Sequence, residues 1–171
     1  MALVHAHVQV LDADTMDQII TAGTLDTHTT SRLNELAQNA KVHSYSPYSN
    51  FRVGAALLCR SGKIYSGCNI ENASYGAAIC AERTAIVKAV SDGSRDIIAI
   101  SIASDMPDTI ITPCGICRQF IREFGTDITI ICTTANGAST TFALQDLLPQ
   151  SFGPDELNGS RTGLYYLNKQ T

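Results

Sequence analysis

Two short stretches hold the residue types that do chemistry at a metal. Ile79-Cys80-Ala81-Glu82-Arg83 supplies one cysteine and, two residues on, a carboxylate. Pro113-Cys114-Gly115-Ile116-Cys117 supplies a cysteine pair three residues apart, behind a proline. On the first turn of a helix that spacing sets both sulfurs on one side. A helix N-terminus favours thiolates, and proline suits that end. Three thiolates make the ligand set of a zinc ion that keeps one position for water, as catalytic sites do and structural sites do not. His5, His7, His28 and His43 all precede the first predicted strand of the core, and no motif makes any of them a fourth ligand. Glu82 is spaced to take a proton from that water and deliver it elsewhere. Three thiolates and Zn²⁺ leave a net negative charge, and Arg83, next to the acid, could donate to the sulfurs and offset it.

Those stretches need elements that bring them together. The 33 residues between Cys80 and Cys114 suffice for a helix, a strand and a loop, so two helix starts can lie side by side at one sheet edge. Upstream, Leu33, Leu36, Ala37 and Ala40 mark an amphipathic helix behind the capping candidates Thr29-Thr30-Ser31, ending near Tyr45. Phe51 to Cys59 and Lys63 to Ile70, joined across Ser61-Gly62, read as an antiparallel hairpin. Gly54 within the first of these strands signals a close backbone approach. Cys80 to Val90 is a second helix, closed by Asp92-Gly93. Asp96 to Ser104 is an apolar strand of the kind covered on both faces. Cys114 to Phe124 is a third helix, Asp127 to Cys132 a buried strand and Ser139 to Leu144 an edge strand. The order predicts an α/β fold, a three-layer α/β/α arrangement around a mixed sheet of about five strands. Ligands bind such sheets at the carboxyl ends of strands.

Residues 1–28 show no sustained period and read as a loosely ordered N-terminal extension, with a short helical turn near Met16 to Thr21. Residues 29–157 read as the catalytic domain and 158–171 as a C-terminal tail. The chain has 171 residues, 44% of them hydrophobic and 16% charged, within the range of one soluble globular domain. Its net charge of −4 offers no basic stripe to a phosphate backbone, which argues against a nucleic-acid partner. No apolar run reaches the ~20 residues of a membrane span. The start lacks a basic region and long apolar core, so a cytoplasmic location is expected. In a reducing compartment the six cysteines are expected as thiols or metal ligands, with Cys59, Cys68 and Cys132 as small core residues.

The Cys-Ala-Glu and Pro-Cys-x-x-Cys pair is the three-cysteine form of the nucleobase zinc-deaminase signature. Around it, Ser46 to Leu57, Gly67 to Ala73, Ile79 to Ile86, Pro113 to Gln119 and Leu147 to Pro154 resemble the small homotetrameric cytidine deaminases. The resemblance covers about Thr30 to Leu157. It implies hydrolytic deamination of cytidine and deoxycytidine, with one zinc per subunit on Cys80, Cys114 and Cys117 and Glu82 as proton shuttle. It implies Asn69 and Glu71 at the ribose hydroxyls, Phe51 against the pyrimidine and Ala81 among the substrate contacts. Phe152 would reach a neighbouring subunit's pocket in a homotetramer with composite sites. Ser74-Tyr75-Gly76-Ala77-Ala78 departs from the usual residues there, and the ends are longer than the family core.

Other readings stay open at this point. A related aminohydrolase could act on a cytosine-containing antibiotic nucleoside of the blasticidin type, though Asn69 and Glu71 suit a ribose diol. A nucleic-acid deaminase usually has histidine where Cys80 stands. A non-enzymatic zinc module would use the cysteines to fold and leave Glu82 incidental. A redox role for Cys114 and Cys117 lacks the thioredoxin-like context it normally has.

Overall fold

Leu57 and Leu58 are neighbours in sequence, both fully buried, and they lie in different cores. That division describes the whole molecule, a computed structural model in which residues 8–160 are described. In chain order the elements are β1 (Gln9–Val10), α1 (Ala13–Ala22), α2 (Thr27–Ala40) and a 3-10 turn (Lys41–His43). Then come β2 (Val53–Cys59), β3 (Lys63–Cys68), a second 3-10 turn (Tyr75–Ala77), α3 (Ala81–Ser91), β4 (Ile97–Ser104) and α4 (Gly115–Arg122). β5 (Thr129–Thr133), β6 (Ser139–Ala143), α5 (Leu144–Leu147) and α6 (Pro154–Ser160) complete them.

The strands form one sheet in the order β1-β3-β2-β4-β5-β6. Among the described strands only β4 and β5 run parallel; every other pair is antiparallel. Because side chains alternate along a strand, Ala55, Leu57 and Cys59 face one core and Ala56 and Leu58 the other. The first core takes Ala81, Ala85, Ile86 and Ala89 of α3, Ile121 of α4 and Leu144 of α5. The second takes Met16 and Ile19 of α1 with Leu33 and Ala37 of α2. The α/β/α layering is as expected.

Two glycines set how closely the layers approach. A Cβ on Gly54 would collide with the Ala37 carbonyl and lie 2.8 Å from the Lys41 nitrogen, so α2 crosses directly over β2. A Cβ on Gly67 would lie 2.5 Å from the Ala85 nitrogen and 2.9 Å from the Ala81 oxygen, so α3 rests on β3 from the opposite side.

Several expectations need correction. The sheet has six strands, because Gln9–Val10 adds to the edge of β3. The segment expected to be loose apart from a short helical turn near Met16 to Thr21 forms β1 and a full ten-residue helix α1. Asp12 caps α1, its carboxylate accepting from the Thr15 nitrogen at 2.8 Å, and Gly23 ends it in the left-handed conformation. Asp14 and Asp17, like the cap Asp12, face solvent while Met16 and Ile19, three apart, are buried. The cap of α2 is Asp26, which accepts from Thr29, and the helix stops at Ala40 rather than near Tyr45. The expected boundaries at 28/29 and 157/158 therefore fall inside helices α2 and α6. Cys59 and Cys132 are buried as expected, but Cys68, at the end of β3, is only half-buried. His5, His7 and residues 161–171 lie outside the described residues. No helix among the described residues is long and apolar enough to cross a membrane.

Candidate active site

The site is assembled at the start of α3 and α4. Cys80 is the N-cap of α3 and Cys114 the N-cap of α4, and neither sulfur caps its own helix. Cys117 sits in the first turn of α4, fully buried. Their three sulfurs lie within 4.8 Å of one another. Ligands on a tetrahedral zinc at ~2.3 Å stand about 3.8 Å apart, so the cluster is of the right size, and three thiolates suit zinc by donor softness.

Within the cluster the shifts favour Cys80 as the thiolate. The Cys80 thiol is pulled down to about 5, chiefly by the hydrogen bond it accepts from Cys117 and further by Arg83. Cys117 is pushed up, because it donates to Cys80 and is buried. Arg83 donates from Nη2 to Cys80 Sγ at 3.7 Å and to the Ala78 carbonyl at 3.3 Å. Its Nε is buried with no hydrogen-bond partner among the described residues. The Arg83 contact expected from the sequence is thus present.

Glu82, in the first turn of α3, is only 4% exposed. Burial raises its carboxyl above the usual range, and the charge of Cys80 adds to that. A carboxyl shifted this way binds a proton at higher pH than an exposed one, which suits a group that must both accept and donate. Ala81 is fully buried and its methyl belongs to the core.

Backbone pairing brings the polar loop alongside. Ile70 and Ile79 exchange two hydrogen bonds, at 2.9 and 3.0 Å, which ties residues 69–71 to the approach to Cys80. Tyr45 bonds to the same strip, accepting from the Glu71 nitrogen at 2.7 Å. The Asn69 carboxamide accepts from the Val53 nitrogen at 2.8 Å and from Ser44 Oγ at 2.6 Å, and donates to the Phe51 carbonyl at 2.9 Å. Asn69 therefore holds Phe51 in place, a structural task that the sequence did not reveal. Glu71 accepts from the Tyr48 nitrogen at 2.9 Å, the Ser49 nitrogen at 3.2 Å and the Ser49 hydroxyl. The Ser49 hydroxyl bond, then the Tyr48 amide, holds its carboxyl below the usual range, so it remains an ionised acceptor.

A hollow of about 370 Å³ opens here, lined by Tyr48, Ser49, Glu71, Asn72, Tyr75 and Ala78. Another, of about 410 Å³, lies at the far end of the sheet beside α1, where β4 and β5 begin, and none of the three sulfurs lines it. Phe152 is 60% exposed, its carbonyl held by Gln119 Nε2 at 2.9 Å. It stands apart from the hollow within this one chain. Sequence reasoning also passed over Ser44 and Ser49, whose hydroxyls shape the loop; the only signal was a serine-rich turn before the first strand of the core.

A three-sulfur centre with a buried acid at a helix start, on a mixed sheet between helical layers, defines a class of zinc hydrolase. Comparison with known proteins makes this specific. The family described as cytidine and deoxycytidylate deaminase zinc-binding region matches residues 27–133, and the chain belongs to that family. It is 48% identical over 123 residues to a probable cytidine deaminase of Dictyostelium discoideum, covering 72% of this chain and 83% of that one. It is 43% identical to the cytidine deaminase of Sporosarcina psychrophila, covering 71% and 90%. The 1.6 Å crystal structure of cytidine deaminase from Burkholderia pseudomallei superposes with a TM-score of 0.69 at 41% identity. That match covers 75% of this chain and all of the other.

Proposed function

We propose that this protein is a zinc-dependent cytidine deaminase, converting cytidine and 2'-deoxycytidine to uridine and 2'-deoxyuridine with release of ammonia. The observation that carries the reading is the three sulfurs of Cys80, Cys114 and Cys117 within 4.8 Å, with Glu82 buried two residues from the first. Those cysteines would hold one zinc per subunit, which when bound acts as a Lewis acid and activates water for attack on C4 of cytosine. With zinc held there, Glu82 would accept a proton from the attacking water, pass it to N3 and carry the next to the departing ammonia. Arg83, donating to Cys80 Sγ, withdraws charge from an electron-rich ligand set.

The remaining residues bind and orient. Phe51 packs against the pyrimidine, and the Ala81 backbone N–H, at a helix start, meets the base. Glu71 accepts from a ribose hydroxyl, and the amide hydrogen that Asn69 does not give to Phe51 reaches a second. Binding the sugar supplies energy away from the reacting carbon that can be used at it. Phe152, exposed on one chain, completes a neighbour's pocket in a homotetramer. The residues proposed for catalysis and binding all lie within 29–157, and the enzyme works in the cytoplasm in pyrimidine salvage, with no nucleic acid or membrane partner.

An aminohydrolase for an antibiotic nucleoside is the second reading, and the ionised Glu71 acceptor, suited to a diol, weighs against it. The test is to add cytidine to purified protein and follow ammonia and ultraviolet absorbance, with Glu82→Gln as control. Full activity in that variant sinks the mechanism. Retained zinc with no deamination of any nucleoside by the unaltered protein points to a non-enzymatic zinc module.

A further inference from the structure

The loop that delivers Cys114 is poorly anchored by its own backbone. Among the described residues, no backbone hydrogen bond outside the helices and strands involves residues 107–113. Pro113 has no N–H to offer, and Cys114 is exposed. Something other than the main chain must fix the peptide that leads into this ligand.

Arg118 does so. Its Nε donates to the Pro113 carbonyl at 2.7 Å and its Nη2 to the Thr112 hydroxyl at 2.9 Å. Its Nη1 donates to the Leu147 carbonyl at 2.7 Å, the last residue of α5. One planar guanidinium thus grips two consecutive residues before Cys114 and the end of the element that leads on to Phe152. Among the described residues Arg118 forms no ion pair, so all three bonds go to neutral acceptors. Its neighbours on α4 continue the pattern. Gln119 holds the Phe152 carbonyl, and Arg122 donates to Ser151 Oγ at 3.0 Å.

We infer that Arg118 is a positioning residue for the metal centre, fixing the Thr112-Pro113 segment so that Cys114 meets Cys80 and Cys117, and tying that segment to the Phe152 arm. The inference rests on Cys114 being a zinc ligand. A lysine could reach one of the three acceptors but not all, because an ammonium lacks the rigid fork. Partners that orient metal ligands typically change metal affinity or activity by about 10–100-fold when removed.

The experiment measures zinc release from purified, zinc-loaded protein to a colorimetric chelator, well below the unfolding temperature, together with kcat per bound zinc. Arg118→Ala is expected to release zinc at least about 10-fold faster, and Arg118→Lys to recover part of the loss. Thr112→Val removes one acceptor at nearly constant volume and is expected to move release in the same direction by less. Release from Arg118→Ala and Thr112→Val at the unaltered rate overturns the proposal, whatever happens to melting temperature. If Arg118→Ala does not fold, an unchanged rate in Thr112→Val overturns it alone. Absence of zinc from the unaltered protein would instead remove the metal reading itself, and Arg118's role with it.

Discussion

The two helix starts that meet at the sulfur cluster have the same backbone and different surroundings. Cys80 caps α3 at φ −75° and ψ 157°, and Cys114 caps α4 at φ −66° and ψ 166°. Two residues on from each, Glu82 is 4% exposed and Ile116 is 66% exposed. Three residues on, α3 carries Arg83 and α4 the buried Cys117. The first start is seated by main chain against main chain, over Gly67 and beside the Ile70–Ile79 pair. The second is held by side chains, above all by Arg118. One geometry is reached in two ways, and the two should fail differently. The α3 start should suffer from added atoms and the α4 start from removed donors.

Glu82→Gln should have the largest effect, because the acid exists only on the α3 side. Loss of a positioned proton carrier costs ~10²–10⁴ in rate. Zinc content, read by atomic absorption, should stay near one per chain, since no ligand is touched. Loss of zinc in this variant would mean that Glu82 is part of the seat, and the contrast between seat and chemistry on α3 would collapse. Gly67→Ala comes next. Its methyl would meet the Ala85 nitrogen at 2.5 Å and the Ala81 oxygen at 2.9 Å, and both are backbone that cannot swing aside. Overpacking of this kind typically costs about 1–3 kcal/mol, and the upper end is expected in urea unfolding, with weaker zinc retention. Gly76→Ala, with nothing within 4 Å, is the control and should stay within about 0.5 kcal/mol of the parent.

This contrast also explains which parts were readable in advance. The helix starts at Cys80 and Cys114 and the strands β2 to β6 were legible, because each rests on local pattern: apolar runs, a proline, a closing glycine. α1 was read only as a short turn near Met16 to Thr21, because Asp12, Asp14 and Asp17 obscure a face only two buried residues wide, Met16 and Ile19. The clue was there in Asp12, three residues before the Thr15 it caps, and in Gly23 beyond the last turn. β1 is two residues long and exists only because β3 offers it an edge, which no local window records. The tasks of Asn69 and Arg118 are long-range side-chain contacts, to Val53 and Leu147 among others. Such contacts follow from the fold and leave no period in the sequence.

Between the seats lies the loop that Glu71 closes, and Glu71→Gln probes it with a smaller expected effect. The variant keeps the shape and loses the charge, while the acceptor still meets the Tyr48 and Ser49 amides. A charged hydrogen bond is worth ~1.5–3 kcal/mol, of which part remains with the amide oxygen. KM for cytidine should rise roughly tenfold with kcat changed less. An equal fall in kcat with unchanged KM would place Glu71 in the chemistry and not at the sugar.

Apart from the Gly76→Ala control, Gly153→Ala should have the smallest effect, and it tests the comparison most directly. Here too an added methyl has no room, since it would meet Arg122 Cζ at 2.5 Å and Nη1 at 2.6 Å. Measured by distance alone it resembles Gly67→Ala. The obstacle, however, is the far end of an arginine, one of the side chains by which α4 holds the Phe152 segment. Its bonds to Asp155 and Glu156, at 3.3 and 3.5 Å, are long, and a small rotation would free the space. A side-chain clamp can yield where a backbone seat cannot, so the loss should be about 1 kcal/mol or less by urea unfolding. Zinc release should be unchanged, because Arg118 and its three bonds remain. A loss equal to that of Gly67→Ala would show that the α4 side is as rigid as the α3 side, and that the two starts differ in parts but not in kind.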